Sequence, residues 1–380
     1  MLVGVMSTYK RPPKLIKITA LISKAYDIDI IFVRPPDVNI EKETLTGKML
    51  INNKWVTKER EIPEFIDITP YCFKKKYKPV TDYLKKKTFL SDNRNNVLTK
   101  EALQEYLKED PGYSHLVLPT RKVLSYNDIS QYLEQYTKVV LKPSDGIQGK
   151  RIFIVEKTVD AYIIGHNTLE KRISEEEFYN LYREKIKNQM YLVQKYIVSR
   201  TLQGDPFDCR IHVEKNRDGK WESAKNYIRI GIGQKVISNV NQGGGIADPI
   251  PFLKANYGDK WKEINEKLKE LAVTLPYKVE ELRGTHIMSL GIDIGIGKDG
   301  KLYLFEVNDG PAFKSIIGEI AYLRSNYYKY VQHKILGINN EQNISSQNNK
   351  GRSSNILRTS LKPLKNLKRI MKTLKSKVTK

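Results

Sequence analysis

The stretch Leu290-Gly-Ile-Asp293-Ile-Gly-Ile-Gly-Lys-Asp-Gly-Lys-Leu-Tyr-Leu-Phe-Glu306-Val-Asn308 holds two short apolar runs around the turn Lys298-Asp-Gly-Lys301, and so predicts a β-hairpin. Side chains alternate along a strand with a period of two. Glu306 and Asn308 therefore leave one strand in the same direction, and Asp293 meets them from its antiparallel neighbour. Three oxygen donors converging on one face suit Mg²⁺, which prefers carboxylates, a few waters and substrate phosphates to an all-protein cage. An exposed hairpin with scattered polar residues would look the same, so the residues upstream decide.

Working outward, Val139-Val-Leu-Lys142-Pro-Ser144-Asp-Gly146-Ile-Gln-Gly149-Lys150 sets a lysine at the end of an apolar strand and follows it with a loop bearing two glycines. Such a lysine can hold a phosphate oxygen as a point charge, and glycines let backbone N–H groups come close to phosphates. A plain glycine-containing hairpin is the alternative. Phe207-Asp208-Cys-Arg210 and Tyr227-Ile-Arg229 place arginines within alternating apolar strands, where a planar guanidinium can bridge phosphate oxygens or pair structurally with Asp208. Asn239-Val-Asn-Gln-Gly243-Gly-Gly245 is a turn that either approaches something closely or takes positive φ.

The order of these signals, all within residues 142–308, resembles the ATP-grasp superfamily, and within it the YheC/YheD group, which is associated with the endospore coat. The resemblance covers about residues 119–310 well, the amino-terminal region loosely and the tail not at all. It implies an ATP-grasp fold, α+β in its body with an α/β amino-terminal domain, and ATP with Mg²⁺ as cofactors. Lys142 would contact the α- and β-phosphates, and Ser144, Gly146, Gly149 and Lys150 would belong to the loop over the triphosphate. Gln194, Lys195, Tyr196 and Ile197 would form the hinge strand that reads the adenine edge. Arg210 would stabilise the transferring phosphoryl group, helped by Arg229, and Asn239 would approach the acceptor or the γ-phosphate. Asp293, Glu306 and Asn308 would hold one or two Mg²⁺ ions. Lys100 is the candidate for the lysine that many ATP-grasp enzymes carry on the preceding helix. Members of the superfamily ligate a carboxylate to an amine or thiol through an acylphosphate. This chain departs from the subgroup at Ser289, where Glu is usual, at Gly297, where Asp is usual, and at His212 and Glu214. A non-catalytic protein of a spore or envelope layer that keeps the ATP-binding fold is the alternative.

Around this body, residues 2–6 and 28–33 bracket Leu15, Ile18, Leu21 and Ile22 at helical spacing, which predicts a β-α-β opening. Leu45 to Val56 predicts a hairpin turning at Asn52-Asn53. Lys74–Lys76 and Lys85–Lys87 bracket an aromatic segment, Ser91 to Asn96 lacks apolar periodicity, and this basic stretch predicts a loose connection. Further helices are predicted near 99–108, 175–187 and 258–279. The domains expected are 1–115 (α/β), 116–335 (ATP-grasp, divided into 116–197 and 198–335) and 336–380, a polar linker and tail. In that tail Leu357, Leu361, Leu364, Met371, Leu374 and Val378 recur among lysines, as in a basic amphipathic helix that can meet an anionic membrane surface or an acidic partner.

Composition bounds what remains. The 380 residues are 40% hydrophobic and 29% charged, which excludes a wholly disordered chain. The formal charge of +23 favours polyanionic partners, with no specific nucleic acid indicated. Two cysteines are too few for a disulfide framework, and the first six apolar residues are too short for a signal core, so a cytoplasmic protein is expected, with spore or envelope association implied by the resemblance. The five histidines show no zinc-binding spacing.

Overall fold

The computed structural model describes residues 1–144, 151–234, 244–311 and 315–338. The chain divides into two compact units, one built from residues 1–93, 214–220 and 313 onward, the other from 94–213 and 221–312.

The first unit opens as the apolar runs dictate. Strand β1 (Leu2–Met6), helix α1 (Lys14–Ser23) and β2 (Asp29–Val33) form a β-α-β turn in which β1 and β2 pair in parallel. Then come β3 (Val38–Asn39), the hairpin β4 (Thr44–Ile51) and β5 (Lys54–Glu61), β6 (Phe65–Ile68), helix α2 (Lys78–Lys87) and β7 (Phe89–Leu90). The sheet runs β3-β4-β2-β1-β6-β7, with β5 on the outer side of β4. The hairpin turns at Asn52 and Asn53, whose φ values of 47° and 60° are those of a type I′ turn. Helix α1 differs from its expected face. Leu15, Ile16, Thr19, Ala20 and Ser23 are buried, and Leu21 is exposed. Helix α2 occupies part of the stretch read as a loose connection. Only Thr81 and Leu84 are buried on it and half of the rest is lysine, so its apolar period is too sparse to register, while Pro79 in the first turn favours the helical start.

The second unit carries two antiparallel layers. Helix α3 (Lys100–Lys108) leads to β8 (Thr120–Lys122), α4 (Tyr126–Tyr136), β9 (Lys138–Pro143), β10 (Phe153–Lys157), β11 (Tyr162–His166), β12 (Leu169–Ile173), α5 (Glu175–Leu181) and β13 (Tyr191–Lys195). These strands make a six-stranded sheet in the order β12-β11-β10-β9-β13-β8. Val139, Leu141 and Val193 bury one of its faces against Ile129 and Leu133 of α4 and Phe178 of α5. The second layer comprises β14 (Phe207–Lys215), β15 (Trp221–Ile230), β16 (Gly245–Ala247), α6 (Pro249–Tyr257), α7 (Trp261–Arg283), β17 (Ser289–Ile296) and β18 (Leu302–Asn308), with sheet order β16-β15-β14-β17-β18. Cys209, Ile211, Ile292 and Ile294 pack there against Leu268, Leu271, Leu275 and Val279 of α7.

Helix α3 groups with the second unit because Leu103 and Leu107 share that core. Helix α8 (Ile317–Tyr330) groups with the first unit, where Ser23 donates to Ser325 (3.1 Å), Ser325 to the carbonyl of Thr19 (3.3 Å) and Tyr26 to Asn326 (2.9 Å). The same unit holds a buried ionic network. Arg324 donates to both oxygens of Glu214 (3.2 and 3.1 Å), and Tyr328 donates to Asp67 (2.5 Å). Burial, then the charge of Asp67, pushes the Tyr328 phenol well above its usual range. Among the described residues no helix is long and apolar enough to cross a membrane.

Candidate functional site

Alternation on the five-stranded sheet sorts its side chains into two faces. Phe207, Cys209, Ile211, Leu290, Ile292 and Ile294 enter the apolar core, which leaves Asp208, Arg210 and Asp293 on the opposite, polar face. Strand β18 joins this face by a break in register. Ile294 pairs with Leu304 and Asp293 with Glu306, so Phe305 is an extra residue, a β-bulge. Before the bulge Leu302 and Leu304 point into the core; after it Val307 takes that direction, and Glu306 and Asn308 turn toward Asp293. Gly295 makes room for the bulged residue, since a Cβ there would lie 2.0 Å from Cζ of the Phe305 ring.

Two arginines converge on Asp293. Arg210 donates through Nε and, at 2.9 Å, through its terminal nitrogen, and Arg229 approaches Oδ2 at 3.0 Å. Asn308 donates to the same oxygen at 3.1 Å. Three of these four contacts fall on Oδ2 and one on Oδ1, so Oδ1 keeps acceptor capacity. Arg229 also forks onto Asp208 at 2.7 and 2.6 Å. Burial pushes the Asp293 carboxyl up, but the charges of Arg210 and Arg229 prevail and hold it below the usual range. Both arginines are pushed down by burial and, more strongly overall, up by the facing carboxylates.

A cleft lies beside β18, lined by Lys100, Thr120, Lys142, Gln194, Phe305 and Glu306 among others. Lys142 projects from β9 on the face opposite Val139 and Leu141 and donates to Oε1 of Gln194 (2.9 Å), which in turn donates to Thr120 (2.7 Å). Its ammonium is lowered to about 8, first by burial and then by the charge of Lys100. Lys100 begins α3, whose cap Thr99 accepts from the N–H of Ala102 (3.2 Å), and its ammonium lies 2.9 Å from Glu306.

The structure thus gathers Lys142, Gln194, Lys100 and Glu306 in one cleft, and Asp293, Asn308, Arg210 and Arg229 around one carboxylate. Among the described residues no three His, Cys, Asp or Glu side chains cluster as a metal cage. Ser144 is half-buried, its N–H donating to the carbonyl of Met190 (2.9 Å). The expected hinge strand ends at Lys195. Tyr196 and Ile197 follow it as irregular chain, the Tyr196 hydroxyl accepting from Arg200 (2.8 Å) and the Ile197 carbonyl from the N–H of Ser199 (2.9 Å). Gly146, Gly149, Lys150 and Asn239 lie outside the described residues, as do 339–380. Sequence reasoning gave no role to Thr120 or to Asp309, which receives Arg94 at 2.6 Å and Arg283 from α7. An acid directly after Glu-x-Asn was the one available signal.

With this geometry described, comparison with known proteins becomes informative. The chain is 25% identical over 320 residues to the endospore coat-associated protein YheC of Bacillus subtilis (strain 168), covering 78% of this chain and 85% of that protein. It is 23% identical over 292 residues to the endospore coat-associated protein YheD of the same strain, covering 72% of this chain and spanning 62% of that protein's length. Among solved structures, the ATP-grasp ligase PsnB complexed with minimal precursor, Mg and ADP superposes with a TM-score of 0.50 at 11% identity, covering 87% of this chain and 98% of that one. D-cycloserine synthetase DcsG does so with a TM-score of 0.50 at 12% identity, covering 87% and 100%. Both likenesses are of fold. A family model for YheC/D like ATP-grasp proteins matches residues 90–335, the span that carries both sheets of the second unit and the whole cleft, and the chain belongs to that family.

Proposed function

We propose that the protein binds Mg-ATP in the cleft between its six-stranded and five-stranded sheets and ligates a carboxylate to an amine or thiol through an acylphosphate. One observation carries this: two lysines from different elements, Lys100 and Lys142, line one cleft with Glu306, whose cross-strand neighbour Asp293 is held by Asn308, Arg210 and Arg229. Lys142 would hold the α- and β-phosphates, its charge restored by the anion it meets. Main-chain groups of Lys195, Tyr196 and Ile197 would read the adenine edge, because the Gln194 amide is already committed to Lys142 and Thr120. Glu306, Asn308 and Asp293 would hold a hard cation by their oxygen chemistry, Asp293 sharing its carboxylate with the arginines. Bound there, Mg²⁺ would neutralise phosphate charge. Arg210, oriented by its fork on Asp293, would stabilise charge developing on the transferred phosphoryl group, and Arg229, tied to Asp208 and Asp293, would keep that carboxylate in place. Ser144, Gly146, Gly149 and Lys150 would cover the triphosphate, and Asn239 would approach the acceptor.

The names of the relatives, both endospore coat-associated proteins, support a role in spore-coat assembly. The tail, 339–380, would attach the protein to an anionic membrane surface or an acidic partner in a salt-sensitive way, which sedimentation of full-length and truncated chains with anionic vesicles tests. For the reaction itself the test is phosphate release from ATP over a panel of amino acids, peptides and cell-wall precursors. Release that requires one carboxylate and one nucleophile together supports ligation; binding of nucleotide with no release from any pair points to a non-catalytic protein.

A further inference from the structure

We propose that Lys100 holds the place of the metal ion at Glu306 while the cleft is free of nucleotide, and that phosphates draw it away, so that nucleotide admits the metal. This rests on the Mg-nucleotide reading of the cleft and adds a positioning residue that couples the two ligands.

The two carboxylates of the donor set are met by very different cations. Asp293 is gripped by two arginine guanidinium groups, which are planar, rigid forks. Glu306, directly across the ladder, is met by the ammonium of Lys100 at 2.9 Å, a point charge on a flexible four-carbon stem that can leave without disturbing the sheet. The pair is neither exposed nor sealed, with side chains 27% and 31% accessible, so it is shielded enough to count and open enough to exchange. A divalent cation approaching Glu306 without nucleotide meets a positive charge already seated there, and the Lys142 ammonium beyond it. The two lysines repel one another, which is part of what lowers Lys142. An anion between them relieves that repulsion, attracts Lys100 from Glu306 and leaves the carboxylate to the metal. By thermodynamic linkage the metal must strengthen nucleotide binding by the same factor.

Mn²⁺ binding to the full-length chain, followed by electron paramagnetic resonance with and without ADP, tests this. The wild type should bind Mn²⁺ weakly alone and much more tightly with ADP. Lys100→Met and Lys100→Gln should each raise nucleotide-free Mn²⁺ affinity by about tenfold and shrink the enhancement by ADP, whereas Lys100→Arg, which keeps the charge, should stay within a factor of about three of the wild type. Nucleotide-free affinity in both neutral variants equal to or below that of the wild type, with Mn-ADP still bound, would overturn the exchange and leave the nucleotide site standing. A wild type that binds no Mn-ADP would overturn both.

Discussion

Asp293 and Glu306 face one another across the β17–β18 ladder only because Phe305 is an extra residue in β18. Without that bulge, strict alternation would send Glu306 and Asn308 into the core with Leu302 and Leu304, where an unpaired carboxylate cannot be accommodated. Gly295 is the condition for it. In Gly295→Ala the new methyl would overlap the Phe305 ring, 2.0 Å from Cζ, so the ring must move. We expect a loss of about 1–3 kcal/mol in urea unfolding, the range for overpacking a filled site, and a matching loss of nucleotide binding. Unchanged stability would mean that the ring is free to leave.

The Asp293 network makes a prediction about acid. Its carboxyl is held below the usual range in the fold, so the stability it contributes is present above the unfolded carboxylate pKa of about 3.9 and is lost as pH falls through the folded value. Asp293→Asn leaves Arg210 and Arg229 buried with less compensation and should cost about 3–5 kcal/mol at neutral pH, the range for breaking a buried ion pair. The same substitution should flatten the acid limb of the stability curve measured by denaturant titration from pH 2 to 7.

Lys142 makes a prediction about base. With its ammonium lowered to about 8, the free protein loses that charge as pH rises through about 8, and affinity for ADP should fall across the same interval. Lys142→Met should bind ADP more weakly at pH 7 and show a shallower dependence between pH 7 and 9. Parallel pH profiles for the two proteins would remove Lys142 from the phosphates. In the fold itself the sign is opposite: neutral Lys142 is favoured, so its contribution to stability improves from about pH 8 toward the ordinary lysine value of 10.5.

In the first unit, Arg324→Met takes the guanidinium away from the fully buried Glu214 and from Asp67, and should destabilise by about 3–5 kcal/mol. Adding Glu214→Gln removes the buried negative charge and should recover part of the loss, giving a measurable interaction energy in a double-mutant cycle. Tyr328→Phe deletes the hydroxyl that donates to Asp67 and should cost about 1.5–3 kcal/mol.

What the sequence disclosed follows from what period and turn chemistry can carry. Asn52-Asn53 declared a type I′ hairpin, and Glu306 and Asn308, two apart, declared a shared direction; both are local facts. The bulge at Phe305 is not local, since it depends on Gly295 in the neighbouring strand giving up its Cβ position. Nor could composition reveal which acid an arginine meets. Arg210 finds Asp293, 83 residues away, while Asp208, two residues off, takes the fork of Arg229 from the adjacent strand. Helix α2 was illegible because two buried residues among lysines make no period. The grouping of α3 with the second unit depends on Leu103 and Leu107 meeting a sheet formed 100 residues later, a contact that no window along the chain contains.

Calorimetric titration of the full-length chain with ADP, in the presence and absence of Mg²⁺, tests the central claim most directly. The wild type should bind one ADP, about tenfold or more tightly with Mg²⁺ than without. Glu306→Gln should keep the fold by circular dichroism and lose the Mg²⁺ enhancement, while Lys142→Met should weaken binding under both conditions. A wild-type chain that binds no ADP, or a Glu306→Gln variant whose affinity still rises with Mg²⁺ as in the wild type, would contradict the assignment of this cleft.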